Sequence, residues 1–350
     1  MSKLMKRVWW IGAALLCAWS MPAHAVRCQV LIGGQSAAVI NLPDIVPTSG
    51  GAASSRLNQP LGLRCGRFAA DFDSGDYGLI CLTLSTGSGG SNGQSRTLAP
   101  VGNPAATPIP FAMYRSTGTD PWSWTTVTPS LTNSIYFKYR IDYYSGWGFD
   151  SNYSQWTPYP GSVTVGAGIN VTNDFDLTPG TYSSHLEGSV YAVARTSIFN
   201  SCENTLRGEP FSITVNATVK SNCRVTTSQI PDLSFGPQSQ WNAEHDATTA
   251  FAVQCTKTTP YRIGLDAGQN AVASQRRMKW QGGADYIRYD LYQDAGRNSL
   301  WGNTTAAPSD TVSGIGTGAA RDYTVFGRVP AGQNPAAGDY LDRVTITVSY

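Results

Sequence analysis

Residues 344–350 read Val344-Thr345-Ile346-Thr347-Val348-Ser349-Tyr350. Every second side chain is apolar and Thr or Ser stands between, which is the pattern of a strand with one face buried and the other in water. Phe211-Ser212-Ile213-Thr214-Val215-Asn216-Ala217-Thr218-Val219 carries the same pattern over nine residues. Shorter strand-like segments, bounded by Gly, Pro, Asn and Asp clusters, are Tyr77 to Leu84, Phe111 to Tyr114, Ile135 to Ile141, Tyr261 to Leu265 and Tyr289 to Tyr292. With 36 Gly, 20 Pro and 11% aromatic residues among 350, the composition favours strands joined by tight turns. It argues against helical bundles and doubly wound parallel sheets. A hydrophobic content of 41% excludes a disordered chain.

One order of cues occurs twice. Cys28 is followed by Leu42-Pro43-Asp44-Ile45 and Leu63-Arg64-Cys65, and Cys223 by Ile230-Pro231-Asp232-Leu233 and Val253-Gln254-Cys255. Each copy leads into its last strand with Gly-x-Tyr, at Gly180-Thr181-Tyr182 and at Gly338-Asp339-Tyr340. Arg207-Gly208-Glu209-Pro210 interrupts the pattern between them. The expected fold is all-β: two immunoglobulin-like antiparallel β-sandwich domains in tandem, over residues 26–206 and 211–350. Phe211 to Val219 reads as the first strand of the second domain.

Residues 1–25 read as a signal peptide. Lys3, Lys6 and Arg7 precede an apolar run from Val8 to Leu16, and Ala23-His24-Ala25 offers a small-x-small cleavage site. Cleavage there predicts secretion and removes Cys17, leaving an even set of cysteines: Cys28, Cys65, Cys81, Cys202, Cys223 and Cys255. In an oxidising compartment these are expected as disulfides, with one staple per copy from first strand to second. The pairing of Cys81 and Cys202 stays open. Without the leader, 22 basic residues face 23 acidic ones, a net charge of −1, so there is no basic footprint for nucleic acid.

Between Tyr143 and Gly161, seven of nineteen residues are aromatic and Asp150 is the only charge. Asp120-Pro121-Trp122-Ser123-Trp124 lies nearby. Gly, Ser, Asn and Pro fill the gaps with no sustained period, which reads as loops or hairpin tips. Trp122, Trp124, Tyr144, Trp147, Phe149, Tyr153, Trp156 and Tyr159 are therefore candidate surface-binding residues, each ring removed from water against an apolar surface contributing roughly 2 kcal/mol. Tyr143 reads more readily as a continuation of the preceding strand. The competing readings are an inward-packed aromatic cluster, or a sugar site in which Asp150, Asn152 and Gln155 are polar partners beside stacked rings.

No catalytic residue, cofactor motif or metal-ligand spacing emerges. His-Glu-x-x-His and a phosphate loop of the right spacing are absent from the sequence. His185 and His245 stand alone in sequence, and Gly87-Ser88-Gly89-Gly90-Ser91-Asn92-Gly93 reads as a hairpin between strands.

Cys223-Arg224-Val225, Asp232-Leu233-Ser234-Phe235-Gly236, Pro260-Tyr261-Arg262-Ile263-Gly264-Leu265-Asp266, Ile287-Arg288-Tyr289-Asp290-Leu291-Tyr292 and Ala337-Gly338-Asp339-Tyr340-Leu341-Asp342-Arg343-Val344 resemble the spore coat protein U domain. That resemblance implies a pilin of the archaic chaperone-usher class, the Csu-type pili that support surface attachment and biofilm formation. It implies an incomplete sandwich, missing its last strand. The strand is supplied first by a periplasmic chaperone and then, with an outer-membrane usher as assembly partner, by the N-terminal donor strand of the next subunit. The first half resembles the same domain more loosely, and a two-domain subunit is similar to the tip adhesin of such pili. Only Val26 and Arg27 precede Cys28, so the mature chain is expected to accept a strand without donating one. The acceptor groove is expected between Phe211–Val219 and the last strand, lined by Ile213, Val215, Val219, Val344, Ile346 and Val348. The resulting expectation is an adhesin at the pilus tip on the cell surface, bound to a hydrophobic surface. A glycan-binding adhesin and a structural shaft or coat subunit are the alternatives.

Overall fold

The period-two segments are strands. The computed structural model describes residues 27–48, 53–66, 77–92, 95–115, 135–140, 164–195, 206–207 and 210–350. The first part holds β1 (Arg27–Ile32), β2 (Ala37–Asn41), β3 (Ala53–Gly66), β4 (Tyr77–Leu84), β5 (Ser91–Asn92), β6 (Ser95–Pro100), β7 (Ile109–Arg115), β8 (Ile135–Arg140), β9 (Thr164–Val171), β10 (Gly180–Arg195) and β11 (Leu206–Arg207). Then come β12 (Phe211–Val219), β13 (Cys223–Val225), β14 (His245–Cys255), β15 (Pro260–Leu265), β16 (Arg277–Trp280), β17 (Tyr286–Arg288) and β18 (Asp290–Tyr292). The last four are β19 (Val312–Ile315), β20 (Ala320–Val329), β21 (Tyr340–Leu341) and β22 (Ile346–Ser349). Among the described residues the only helical piece is a 3-10 turn, Asp174–Asp176, capped by Asn173, whose side chain accepts from Phe175 N at 3.1 Å.

The chain is all-β and its strand pairs are antiparallel, with the single exception among the named strands of β12 beside β2. The first core lies between two faces of one long sheet of order β1-β3-β9-β7-β6-β10-β12-β2. Val30, Ile32, Phe111, Met113, Val165 and Ile169 meet Leu82, Leu84, Leu186, Ile40, Ile213 and Val215 there. The second core lies between the sheet β13-β14-β20-β18 and the sheet β19-β15-β22. Phe251, Val253, Tyr323 and Val325 supply one side, Tyr261, Ile263 and Leu265 the other, and Trp301 donates its indole N–H to Ile263 O at 2.9 Å. Arg276 is buried and donates to the carbonyls of Asp266, Leu265 and Trp301 at 2.9, 2.7 and 2.8 Å. Burial depresses its pKa.

The twofold repeat is visible in the backbone. Cys28 stands opposite Cys65 in the β1–β3 ladder as Cys223 stands opposite Cys255 in the β13–β14 ladder. The second pair is a disulfide. Closing a segment of 32 residues contributes about 3–4 kcal/mol by the chain-entropy relation. Gly180 and Gly338, the leading residues of the two Gly-x-Tyr motifs, have φ of 143° and 153°. Side-chain-bearing residues rarely reach that region, so both copies turn into their last strand in the same way.

One expectation is overturned. Phe211 to Val219 does not open the second domain: β12 belongs to the first core. It runs antiparallel to β10 from Gly180↔Val219 to Gly188↔Phe211 and parallel to β2 from Ser212↔Ala37 to Asn216↔Asn41. Leu42 N donates to Asn216 O, and Ile45 N to Thr218 O, both at 2.9 Å. Phe211, Ile213, Val215, Ala217 and Val219 are all buried there. A Cβ on Gly188 would meet the Phe211 ring at 2.1 Å, so that glycine makes the seat for the phenyl group. Period two says that a strand buries one face; it does not say against which core.

Candidate functional site

Comparing the two copies strand by strand locates the site. In the first copy the strand after Gly180 buries a continuous row: Tyr182, Ser184, Leu186 and Val190 are each 1% exposed or less. β12 lies along that row, and Leu42 and Ile45 close its far side. In the second copy the strand after Gly338 shows the same alternation, but Tyr340, Asp342, Val344, Ile346 and Val348 are only half-buried. Ile230 and Leu233, which correspond to Leu42 and Ile45, are half-buried as well. Among the described residues Ile230–Leu233 pairs with no strand, β22 pairs only with β15, and β13 only with β14.

The second core thus leaves a row of apolar side chains half-buried along one edge, which we call the trough. Among the described residues β22 and β13 each have one strand partner and stand near one another at this edge, β22 continuing from the segment after Gly338 and β13 leading into the segment through Leu233. Ile230, Leu233, Phe235, Val344, Ile346 and Val348 form its partly buried lining. The unpaired backbone of an edge strand offers N–H and C=O groups for a further strand, and alternate side chains offer places for its apolar residues. Of the six residues expected to line the groove, Val344, Ile346 and Val348 are half-buried along this edge. Ile213, Val215 and Val219 are not, because they fill the first core. The segment 228–235 was missed as a wall. Its signal was its correspondence with the segment at Leu42, which the repeat supplies.

Polar contacts hold the last strand in place before it reaches the edge. Asp266 Oδ1 accepts from Thr345 N and from Gly268 N, each at 2.9 Å, and Asp266 N donates to Thr345 O at 3.1 Å. Partial burial works against the Asp266 charge, but the amide hydrogen bonds outweigh it, so the carboxyl lies below its ordinary 3.8. A depressed carboxyl contributes stability that is present above 3.8 and is lost as pH falls through the folded value. Thermal melting followed at pH 7 and pH 3 is expected to show a larger acid loss in the wild type than in Asp266→Asn, which keeps an acceptor oxygen and does not titrate. An equal loss in both would remove Asp266 as the cause. Asp342 accepts from the Tyr289 hydroxyl at 2.7 Å and from Asn270 Nδ2 at 2.9 Å. Burial, and then the Asp342 carboxylate, push the Tyr289 phenol upward.

Trp122, Trp124, Tyr144, Trp147, Phe149, Tyr153, Trp156 and Tyr159 lie outside the described residues, as do Cys202 and the leader. Cys28, Cys65 and Cys81 are placed by their backbone alone. His185 Nδ1 lies 3.0 Å from Thr214 Oγ1, and His245 Nε2 3.0 Å from Gln240 O with its ring edge-on to Trp241. Among the described residues no three His, Cys, Asp or Glu side chains converge on a metal-sized site.

Residues 209–347 match the family model of the Spore Coat Protein U domain. The second half of the chain is similar to the Spore Coat Protein U domain. β12 lies inside the matched stretch but packs into the neighbouring core. Protein U of Myxococcus xanthus is 35% identical over 109 residues, and the alignment covers 29% of this chain and 59% of that protein, less than two thirds of its length. Two solved structures are similar over most of the chain. The chaperone–tip adhesin subunit pre-assembly complex of the archaic chaperone-usher Csu pili of Acinetobacter baumannii aligns at 17% identity and a TM-score of 0.49, covering 92% of this chain and 100% of that one. The CupB6 tip adhesin of Pseudomonas aeruginosa aligns at 13% identity and a TM-score of 0.41, covering 93% and 96%. Among the described residues no helix is long and apolar enough to cross a membrane.

Proposed function

We propose that this chain is a non-enzymatic pilus tip adhesin, secreted through the periplasm and displayed on the cell surface. Its Spore Coat Protein U domain joins it to the fibre, and its first domain makes the attachment that starts a biofilm. The observation that supports the first role is the half-buried row Tyr340, Val344, Ile346 and Val348, whose counterparts in the first copy are covered by β12. A periplasmic chaperone strand, and after passage through the outer-membrane usher the N-terminal donor strand of the next subunit, is the occupant this trough fits. Four or five apolar side chains entering it, at about 1.5–3 kcal/mol each, give an interaction that scarcely dissociates.

The attachment role rests on the aromatic stretches around Trp122 and Trp147, which are rich in rings and carry little charge. Rings presented to an apolar substratum bind without stereochemical fit, and the low charge reduces the cost of removing water. Cells whose pili carry Trp122→Ala, Trp147→Ala and Trp156→Ala together are expected to lose at least about tenfold in attachment to polystyrene, since each ring contributes roughly 2 kcal/mol. Wild-type attachment is expected to survive high salt and free sugars. Inhibition by a sugar would replace this reading with the glycan-binding one, and unchanged attachment by piliated mutant cells would point to a shaft or coat role.

A further inference from the structure

We infer that the two domains are locked into one rigid body, and that Asn222 is the residue that fixes their relative orientation. Only Lys220, Ser221 and Asn222 separate β12, inside the first core, from β13, the disulfide-bonded start of the second. Each end of this connection is held. Lys220 N donates to Ile45 O at 2.9 Å on the first-domain side, and its ammonium lies 3.2 Å from Asp44.

Asn222 bonds in both directions. Its Nδ2 donates to Pro47 O in the first domain. Its Oδ1 accepts from Cys223 N at 2.9 Å and from the Tyr350 hydroxyl at 2.7 Å, and its backbone exchanges bonds with Thr256, N to Oγ1 at 3.2 Å and Thr256 N to O at 3.0 Å. The side chain therefore spends its donor on one domain and its acceptor on the other.

A second contact stands beside the first. The 3-10 turn Asp174–Asp176 of the first domain seats on the second: Lys257 N donates to Phe175 O at 3.3 Å, and the Lys257 ammonium lies 3.8 Å from Asp176. The Arg224 guanidinium lies 5.2 Å from the centre of the Phe175 ring. Gly318, with φ of 87°, comes so close that a Cβ would stand 2.7 Å from Asp176 Oδ1 and 3.0 Å from Phe175 O. Thr48 N donates to Asp174 Oδ2 at 2.7 Å, which ties the turn to the segment that carries Pro47. Two contacts and a three-residue connection leave no free hinge axis.

The test is the distribution of distances between dyes placed through unnatural residues at Gln35 and Leu300, both exposed, one in each domain, in the full chain. The wild type is expected to give a single narrow distribution. Asn222→Asp keeps the oxygen that serves Cys223 and Tyr350, removes the donor to Pro47 and sets a carboxylate against that carbonyl. It is expected to broaden the distribution while far-ultraviolet circular dichroism stays unchanged. Gly318→Ala pushes on the turn from the other side, leaves every Asn222 bond in place, and is expected to shift the mean distance. It decides the question if Asn222→Asp itself unfolds. A broad distribution in the wild type, or a narrow and unshifted one in both folded variants, overturns the inference.

Discussion

A fragment ending at residue 207 will not fold as a stable monomer, whereas one ending at residue 220 will. The family match begins at residue 209, and a cut just before it is the obvious way to isolate the first domain. That cut removes β12, which places Phe211, Ile213, Val215 and Val219 in the first core. At about 1.5–3 kcal/mol for each large side chain, the loss is on the order of 6–12 kcal/mol, comparable with the whole stability of a domain. It also exposes the inner edges of β10 and β2, where an unpaired strand invites association with other chains. Size-exclusion chromatography and thermal melting of the two fragments check this. A synthetic peptide of residues 210–220 added during refolding is expected to restore a melting transition to the shorter fragment. A well-folded, monomeric fragment ending at 207 would show that β12 is dispensable to the first core.

The second large effect contrasts the same chemistry at two places. Ile213→Asp sets a carboxylate into a closed core, where burial of an unpaired charge costs several kcal/mol, and is expected to abolish folding of the first domain. Ile346→Asp with Val348→Asp sets two carboxylates at the half-buried trough, where water still reaches them. The second core is expected to melt as before or slightly lower, but coexpressed chaperone is expected to lose the chain in pull-down assays and pili to lack it. A variant that melts normally and is still captured by the chaperone would take the trough out of assembly. The reverse outcome, in which the double variant unfolds as Ile213→Asp does, would mean that the edge is already part of a closed core.

The strand positions were legible because the alternation in Phe211 to Val219 and Val344 to Tyr350 is strict, and because Gly180 and Gly338 mark the same turn twice. The cysteine spacing gave the Cys223–Cys255 staple. The destination of β12 was not legible. Its residues carry no preference between two cores of similar design, and nearness in sequence to Cys223 pointed to the wrong one. What decided it is spatial: a place between β10 and β2, opened by Gly188 and bordered by Leu42 and Ile45. The trough was half legible for the same reason. Val344, Ile346 and Val348 announce an apolar face, whereas Ile230 and Leu233 become a wall only when the copies are superposed through their Pro-Asp motifs. The junction left no sequence signal, since Asn222, Phe175 and Gly318 are far apart in the chain.

The way β12 is seated also sets how the protein meets mechanical load. In the proposed role at a pilus tip, a fibre that tugs on the second domain would draw on Val219 along the axis of β12. Its rungs to β10 on one flank and to β2 on the other then share the strain side by side, in shear, instead of opening one by one like a zip.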